Sequence, residues 1–175
     1  MVLKPQDILV ALKLCTFQGQ RPPFSVVASE LAMSPSEVHG AVRRLQRARL
    51  VHRQELGEKP NLSALQEFLL HGVQYAFPSE RGEVTRGVPT SYAAEPLKSR
   101  IASGEQLPPV WPYPEGKVRG TAFSPLYPTV PIAALRDPVL YEYLALVDAI
   151  REGRAREKRM AERELTKRLR THDQP

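Results

Sequence analysis

Ser34-Pro35-Ser36-Glu37 constrains this chain more than any other stretch, because it fixes where a helix begins. Ser34 stands at the N-cap, Pro35 at the first helical position and Glu37 three residues after the cap, which is the reciprocal arrangement of a capping box. From there Val38, Val42 and Leu45 recur at four and three residues, with Ala41 beside them, so one stripe faces a core. The opposite face is polar and basic. Ser36, Gly40, Arg43 and Arg47 follow one another at four, three and four residues, flanked by His39 and Arg44. Upstream, Ser25 is placed to cap a short helix carrying Val27, Ala28 and Leu31, and Ala32-Met33-Ser34 makes a tight turn between the two helices.

Two short helices joined by such a turn, the second with a basic outer face, form the pattern of a helix-turn-helix. Leu50-Val51-His52-Arg53-Gln54 then reads as a short strand leaving the second helix. Leu31-Ala32-Met33-Ser34-Pro35-Ser36-Glu37-Val38, Val42-Arg43-Arg44-Leu45 and Ala48-Arg49-Leu50-Val51 together resemble the winged helix-turn-helix of MarR-like bacterial transcription regulators. The resemblance covers residues 1–75. It implies that the helix at 35–48 enters the major groove of double-stranded DNA and that a hairpin wing touches the adjacent backbone. DNA contacts are then expected from Ser34, Ser36, His39, Gly40, Arg43, Arg44, Arg47 and Arg53. Arg43 is suited to a guanine edge, and Arg47 and Arg53 to phosphates. Glu55-Leu56-Gly57-Glu58-Lys59-Pro60 carries two acids and no clear return strand, so the wing is expected to be degenerate.

The net charge of +6 and a pI near 9.7 favour a polyanionic partner. Residues 1–60 hold nine Lys or Arg against five acids, residues 61–135 six against six, and residues 136–175 ten against eight, so the excess is placed mainly in the first third. The single cysteine, Cys15, excludes an intrachain disulfide and a cysteine-based metal site, and its place on an apolar stripe predicts burial. No run is long and apolar enough for a membrane span, and the amino terminus lacks a signal-peptide core, so a cytoplasmic protein is expected. His39, His52, His71 and His172 are scattered. With no phosphate-cradling glycine loop and no activated nucleophile, the chain predicts no catalytic residue, no metal and no cofactor.

Around this unit the chain divides into residues 1–60, the DNA-binding domain; 61–77, a core or dimerisation helix; 78–136, an irregular proline-rich region; and 137–171, a C-terminal helical region. Pro5, Ile8, Leu9, Leu12 and Cys15 predict the first helix, and Asn61 caps the helix at 61–77. Ten prolines and five glycines break every period between 78 and 131, with only 96–102 suited to a brief helix. Trp111, Tyr113 and Phe123 in that region are candidate anchors for a protein partner or for the chain's own groove. Asp137-Pro138 restarts a helix with Val139, Leu140, Tyr143, Leu144, Val147 and Ile150 on one stripe. Beyond Gly153 the segment reads as a solvated helix with its own pairs, Glu152 with Arg156 and Glu164 with Arg168. The expected protein is mainly α: a winged helix-turn-helix regulator, a repressor acting as a homodimer, with the helices at 61–77 and 138–150 as dimer surfaces. The alternative is an antitoxin-like or adaptor subunit that binds a second protein and whose winged helix is a secondary or non-DNA-binding module.

Overall fold

The computed structural model describes residues 1–102 and 104–172. Helices predominate and strands form two small sheets, so the protein mixes α and β structure. It opens with α1 (Pro5–Cys15), α2 (Phe24–Leu31), α3 (Pro35–Arg47) and a hairpin of β1 (Val51–Gln54) and β2 (Gly57–Pro60). Next come α4 (Leu62–His71), the short α5 (Val73–Ala76) and the strands β3 (Arg81–Pro89), β4 (Pro109–Pro112) and β5 (Val118–Phe123). The chain closes with α6 (Val130–Arg136), α7 (Pro138–Glu152) and α8 (Ala155–His172).

Local chemistry explains most of the helix starts. Ser34 Oγ accepts from the Glu37 amide at 3.2 Å while Glu37 Oε2 accepts from the Ser34 amide at 2.7 Å, completing the capping box. Asn61 accepts from the Ala64 amide at 3.2 Å, and Asp137 from those of Val139 and Leu140 at 3.1 Å. α2 differs from expectation: it begins at Phe24 behind Pro23, and no side chain caps it. The helix expected over 61–77 breaks at Gly72, and Gly153, at φ 75°, ends α7 and separates it from α8.

α7 is the axis of the fold, packed by α1, α4, α5, α6 and α8. Its residues Tyr143 to Arg151 are all buried, which means that it is enclosed on every side and not along one stripe. Val139, expected on the core stripe, is instead exposed in its first turn. The first three helices are tied to this axis by Lys13, whose ammonium lies 2.9 Å from Glu30 of α2 and 2.7 Å from Asp137 at the start of α7. Burial alone would lower the Lys13 ammonium, but the two carboxylates override it and hold it above its ordinary value.

The region 78–136 corrects the sequence reading. Residues 81–89, read as loop, form β3, which pairs antiparallel with both β4 and β5 while β4 and β5 pair in parallel, closing a three-stranded barrel. Within the expected brief helix only Lys98–Arg100 is helical, as a single 3₁₀ turn, and α6 lies where no helix is expected. Trp111 and Phe123 are fully buried inside this chain, so neither offers a surface to a partner; Tyr113 is half-buried. Of the two roles expected for the helix at 61–77, core or dimerisation, the structure shows core packing. Leu65, Leu69 and Val73, and Leu140, Leu144, Val147 and Ile150, already fill the chain's own core. Cys15 is buried, and burial pushes its thiol up to about 12. Glu152 pairs with Arg81 at 2.6 Å and not with Arg156, whereas Glu164 does lie 4.0 Å from Arg168.

Candidate nucleic-acid interface

The outward face of α3 is built by the burial of its other side. Val38, Ala41, Val42 and Leu45 pack against α1 and α2, which turns Ser36, His39, Arg43 and Arg47 to the solvent. Gly40 lies half-buried between them, and a methyl group there would stand 3.3 Å from the Arg44 guanidinium. Ser34 is exposed, but its oxygen is engaged in the cap.

Arg44 does not share this face. Its Nε and NH2 donate to the two carboxylate oxygens of Asp7 at 2.8 and 2.7 Å, and Asp7 is fully buried on α1. Such a forked pair fixes rotation as well as distance, so Arg44 sets the pose of α3 on α1 instead of reaching a nucleic acid. Its partner lies 37 residues away, beyond the reach of local pattern. Arg44→Ala is therefore expected to cost about 2 kcal/mol of stability in urea denaturation, the loss of hydrogen bonds to a buried charge. It should leave the salt dependence of DNA binding as it is in the parent protein.

The hairpin is the second part of the site, and here the return strand that the sequence did not suggest is present and paired. β1 and β2 run antiparallel from Val51↔Pro60 to Gln54↔Gly57, with Glu55 and Leu56 at the tip and Gly57 at φ 104°. Gly-Glu-Lys-Pro is poor in strand formers, and Pro60 sits at the end of the ladder, where its missing N–H costs least. Arg53 is exposed on β1 beside His52. Of the two hairpin acids, Glu58 is neutralised: Arg21 donates to it through Nε at 2.8 Å and through NH2. Burial alone would raise the Glu58 carboxyl, but Arg21 holds it below the usual carboxylate range. The Arg21 guanidinium also stacks 3.7 Å above the Phe24 ring, whose edge meets His39 at 4.5 Å between ring centroids. Arg21 thus links the loop before α2, the hairpin and the base of the exposed face.

Two further features lay outside the sequence reading. Arg49 is exposed in the left-handed conformation, φ 62°, directly between α3 and β1. The Tyr127 hydroxyl donates to Glu37, so the segment before α6 touches the first turn of α3, and Arg136 donates to the Ser29 carbonyl of α2 at 2.7 Å. The Tyr127 hydroxyl, together with the Ser34 cap, holds the Glu37 carboxyl below its ordinary value. Among the described residues none of Arg43, Arg47, Arg49 and Arg53 makes a salt bridge. The exposed side chains of α3 are thus neutral or basic, with its one acid held to the flank.

Among the described residues no group of three or more His, Cys, Asp or Glu is arranged to hold a metal ion, and no helix is long and apolar enough to cross a membrane. Comparison with known proteins finds no match among family models, curated proteins or solved structures.

Proposed function

We propose that this protein is a sequence-specific DNA-binding regulator of the winged helix-turn-helix kind, with α3 in the major groove and the β1–β2 hairpin on the neighbouring backbone. The observation that carries this reading is the outward face of α3. Ser36, His39, Arg43 and Arg47 stand exposed on a capped helix whose other side is anchored, and Arg49 and Arg53, also exposed, follow it into the hairpin. Arg43, midway along the face, suits a guanine edge, while Arg47, Arg49 and Arg53 suit phosphates. A homodimer on two half-sites belongs to the proposal, because one short helix reads few base pairs and a second copy fixes the register. It would form through surfaces other than the filled stripes of α4 and α7.

The antitoxin-like or adaptor reading draws its support from the large share of sequence outside the helix-turn-helix, with Trp111, Tyr113 and Phe123 as candidate anchors there. The core takes up the first and last of these anchors, and Tyr113 is half-buried.

Affinity selection from random duplexes tests the reading. Arg43→Ala is expected to relax discrimination at one base pair by about 1–3 kcal/mol. Arg47→Ala and Arg53→Ala should weaken every sequence alike and reduce the slope of log affinity against log salt by about one each. Light scattering of the selected complex should give two copies per site. A protein that prefers no duplex over random DNA at low salt is not a sequence reader.

A further inference from the structure

We infer that α8 carries a second polyanion site, a row of five cations that grips the phosphodiester backbone of duplex DNA independently of sequence. Arg156, Arg159, Arg163, Lys167 and Arg170 follow one another at three, four, four and three residues, and all five are exposed. That spacing keeps them within a narrow arc of the helix, and Ala161, Leu165 and Leu169, buried against the rest of the chain, lie on the opposite side. From first to last the row spans about 21 Å, the axial length of roughly six base pairs.

The acids of α8 are kept off this row. Glu157 and Glu162 are half-buried on its flanks, and Glu162 lies 3.8 Å from Lys158. Glu164 is buried and pairs with Arg100 and, at 4.0 Å, with Arg168. None of the five cations makes a salt bridge among the described residues; Arg163 Nε reaches only the Arg159 carbonyl, at 3.4 Å. A helix evolved only for solubility alternates signs at three and four residues, since like charges at those spacings destabilise it. Here each successive neighbour along the row is another cation, a local cost that no salt bridge among the described residues offsets.

Charge complementarity selects the occupant. Four of the five are arginines, whose forked guanidinium matches phosphate oxygens in pairs. A bilayer is disfavoured, because an interfacial helix needs an apolar face to insert and the apolar side of α8 is already packed on α7 and α4. The choice of duplex DNA as the polymer rests on the function proposed above. The row was hidden from a charge count because residues 136–175 total ten cations against eight acids, a near balance that folding segregates.

The test is a variant of the full chain carrying Arg156→Gln, Arg159→Gln, Arg163→Gln, Lys167→Gln and Arg170→Gln, all at exposed positions. Binding of a random 30-base-pair duplex is titrated across salt concentrations beside the parent protein and Arg43→Ala. Each lost phosphate contact lowers the salt slope by about 0.9. The quintuple variant should therefore lose at least two units of slope, and at least tenfold in affinity at low salt, while selecting the same sequence. Arg43→Ala should do the converse. An unchanged slope overturns the α8 site and leaves the α3 reading intact. A reduced slope in a protein that has no sequence preference supports α8 and removes the α3 reading. Absence of duplex binding removes both. Row-dependent binding to phosphatidylserine vesicles, with an unchanged duplex slope, overturns the site in favour of a membrane.

Discussion

Asp148→Ala is expected to destabilise this protein by about 3–5 kcal/mol, the cost of leaving a buried charge without its partner. Asp148 and Arg151 lie one turn apart on the enclosed face of α7, only 2% and 6% exposed. Arg151 NH1 donates to Asp148 Oδ1 at 2.7 Å, while Oδ2 accepts from Trp111 Nε1 and from Thr90 Oγ1, both at 2.7 Å. Burial pushes the Asp148 carboxyl above its ordinary value, and Arg151, Thr90 and Trp111 oppose that push. Arg151 in turn donates to the carbonyls of Phe77 at 2.8 Å and Ser124 at 3.1 Å. This node binds the end of α5, the end of β5, β4 and the turn after β3 to one helix. Removing the carboxylate takes the acceptor from the buried Trp111 and Thr90 donors and the counter-charge from Arg151. For a chain of this length the loss corresponds to roughly 6–20 °C in the unfolding midpoint. Trp111 is the only tryptophan, so its fluorescence reports both the node and the transition. Trp111→Phe, which keeps most of the burial but removes one donor, should cost far less, about 1–2 kcal/mol, followed by far-UV circular dichroism because the variant has no tryptophan. A midpoint for Asp148→Ala within 2 °C of the parent would show that the node carries no such weight.

What the sequence made legible followed from how local the responsible chemistry is. The starts of α3, α4 and α7 were readable because Ser34, Asn61 and Asp137 act on amides two or three residues ahead. The outward face of α3 was readable for the same reason, since helical spacing alone separates Val38 and Leu45 from Arg43 and Arg47. Arg44 was misplaced because the same periodicity cannot reveal Asp7. Trp111 and Phe123 were recognised as groups needing burial, yet the side chain that determines the fate of Trp111, Asp148, lies 37 residues further on. The barrel was illegible for a different reason. Its glycines and prolines are the residues that mark turns, and here several serve close packing between strands. Pro89, Pro109 and Pro112 stand at strand ends, where a missing N–H disrupts the ladder least.

Gly87→Ala is expected to disrupt that barrel and to cost at least about 3 kcal/mol, at or beyond the upper end of ordinary overpacking. Gly87 occupies the position where β3 meets both neighbours, opposite Pro112 of β4 and Val118 of β5. A Cβ built there would lie 2.0 Å from the Trp111 carbonyl oxygen and 2.8 Å from its carbon. These are backbone atoms of a fully buried residue, so no side chain can swing aside to make room. Val110 Cβ at 3.1 Å closes the remaining direction. The strand must move away from β4, and with it the indole that donates to Asp148, so the same node fails from the other end. Gly104→Ala is the matched control, with nothing within 4 Å of its Cβ position, and should stay within about 0.5 kcal/mol of the parent. Urea denaturation followed by Trp111 fluorescence measures both variants. If Gly87→Ala unfolds at the same urea concentration as Gly104→Ala, the close approach of β3 and β4 is wrong, and residues 81–123 belong to an irregular proline-rich region, as the sequence suggested.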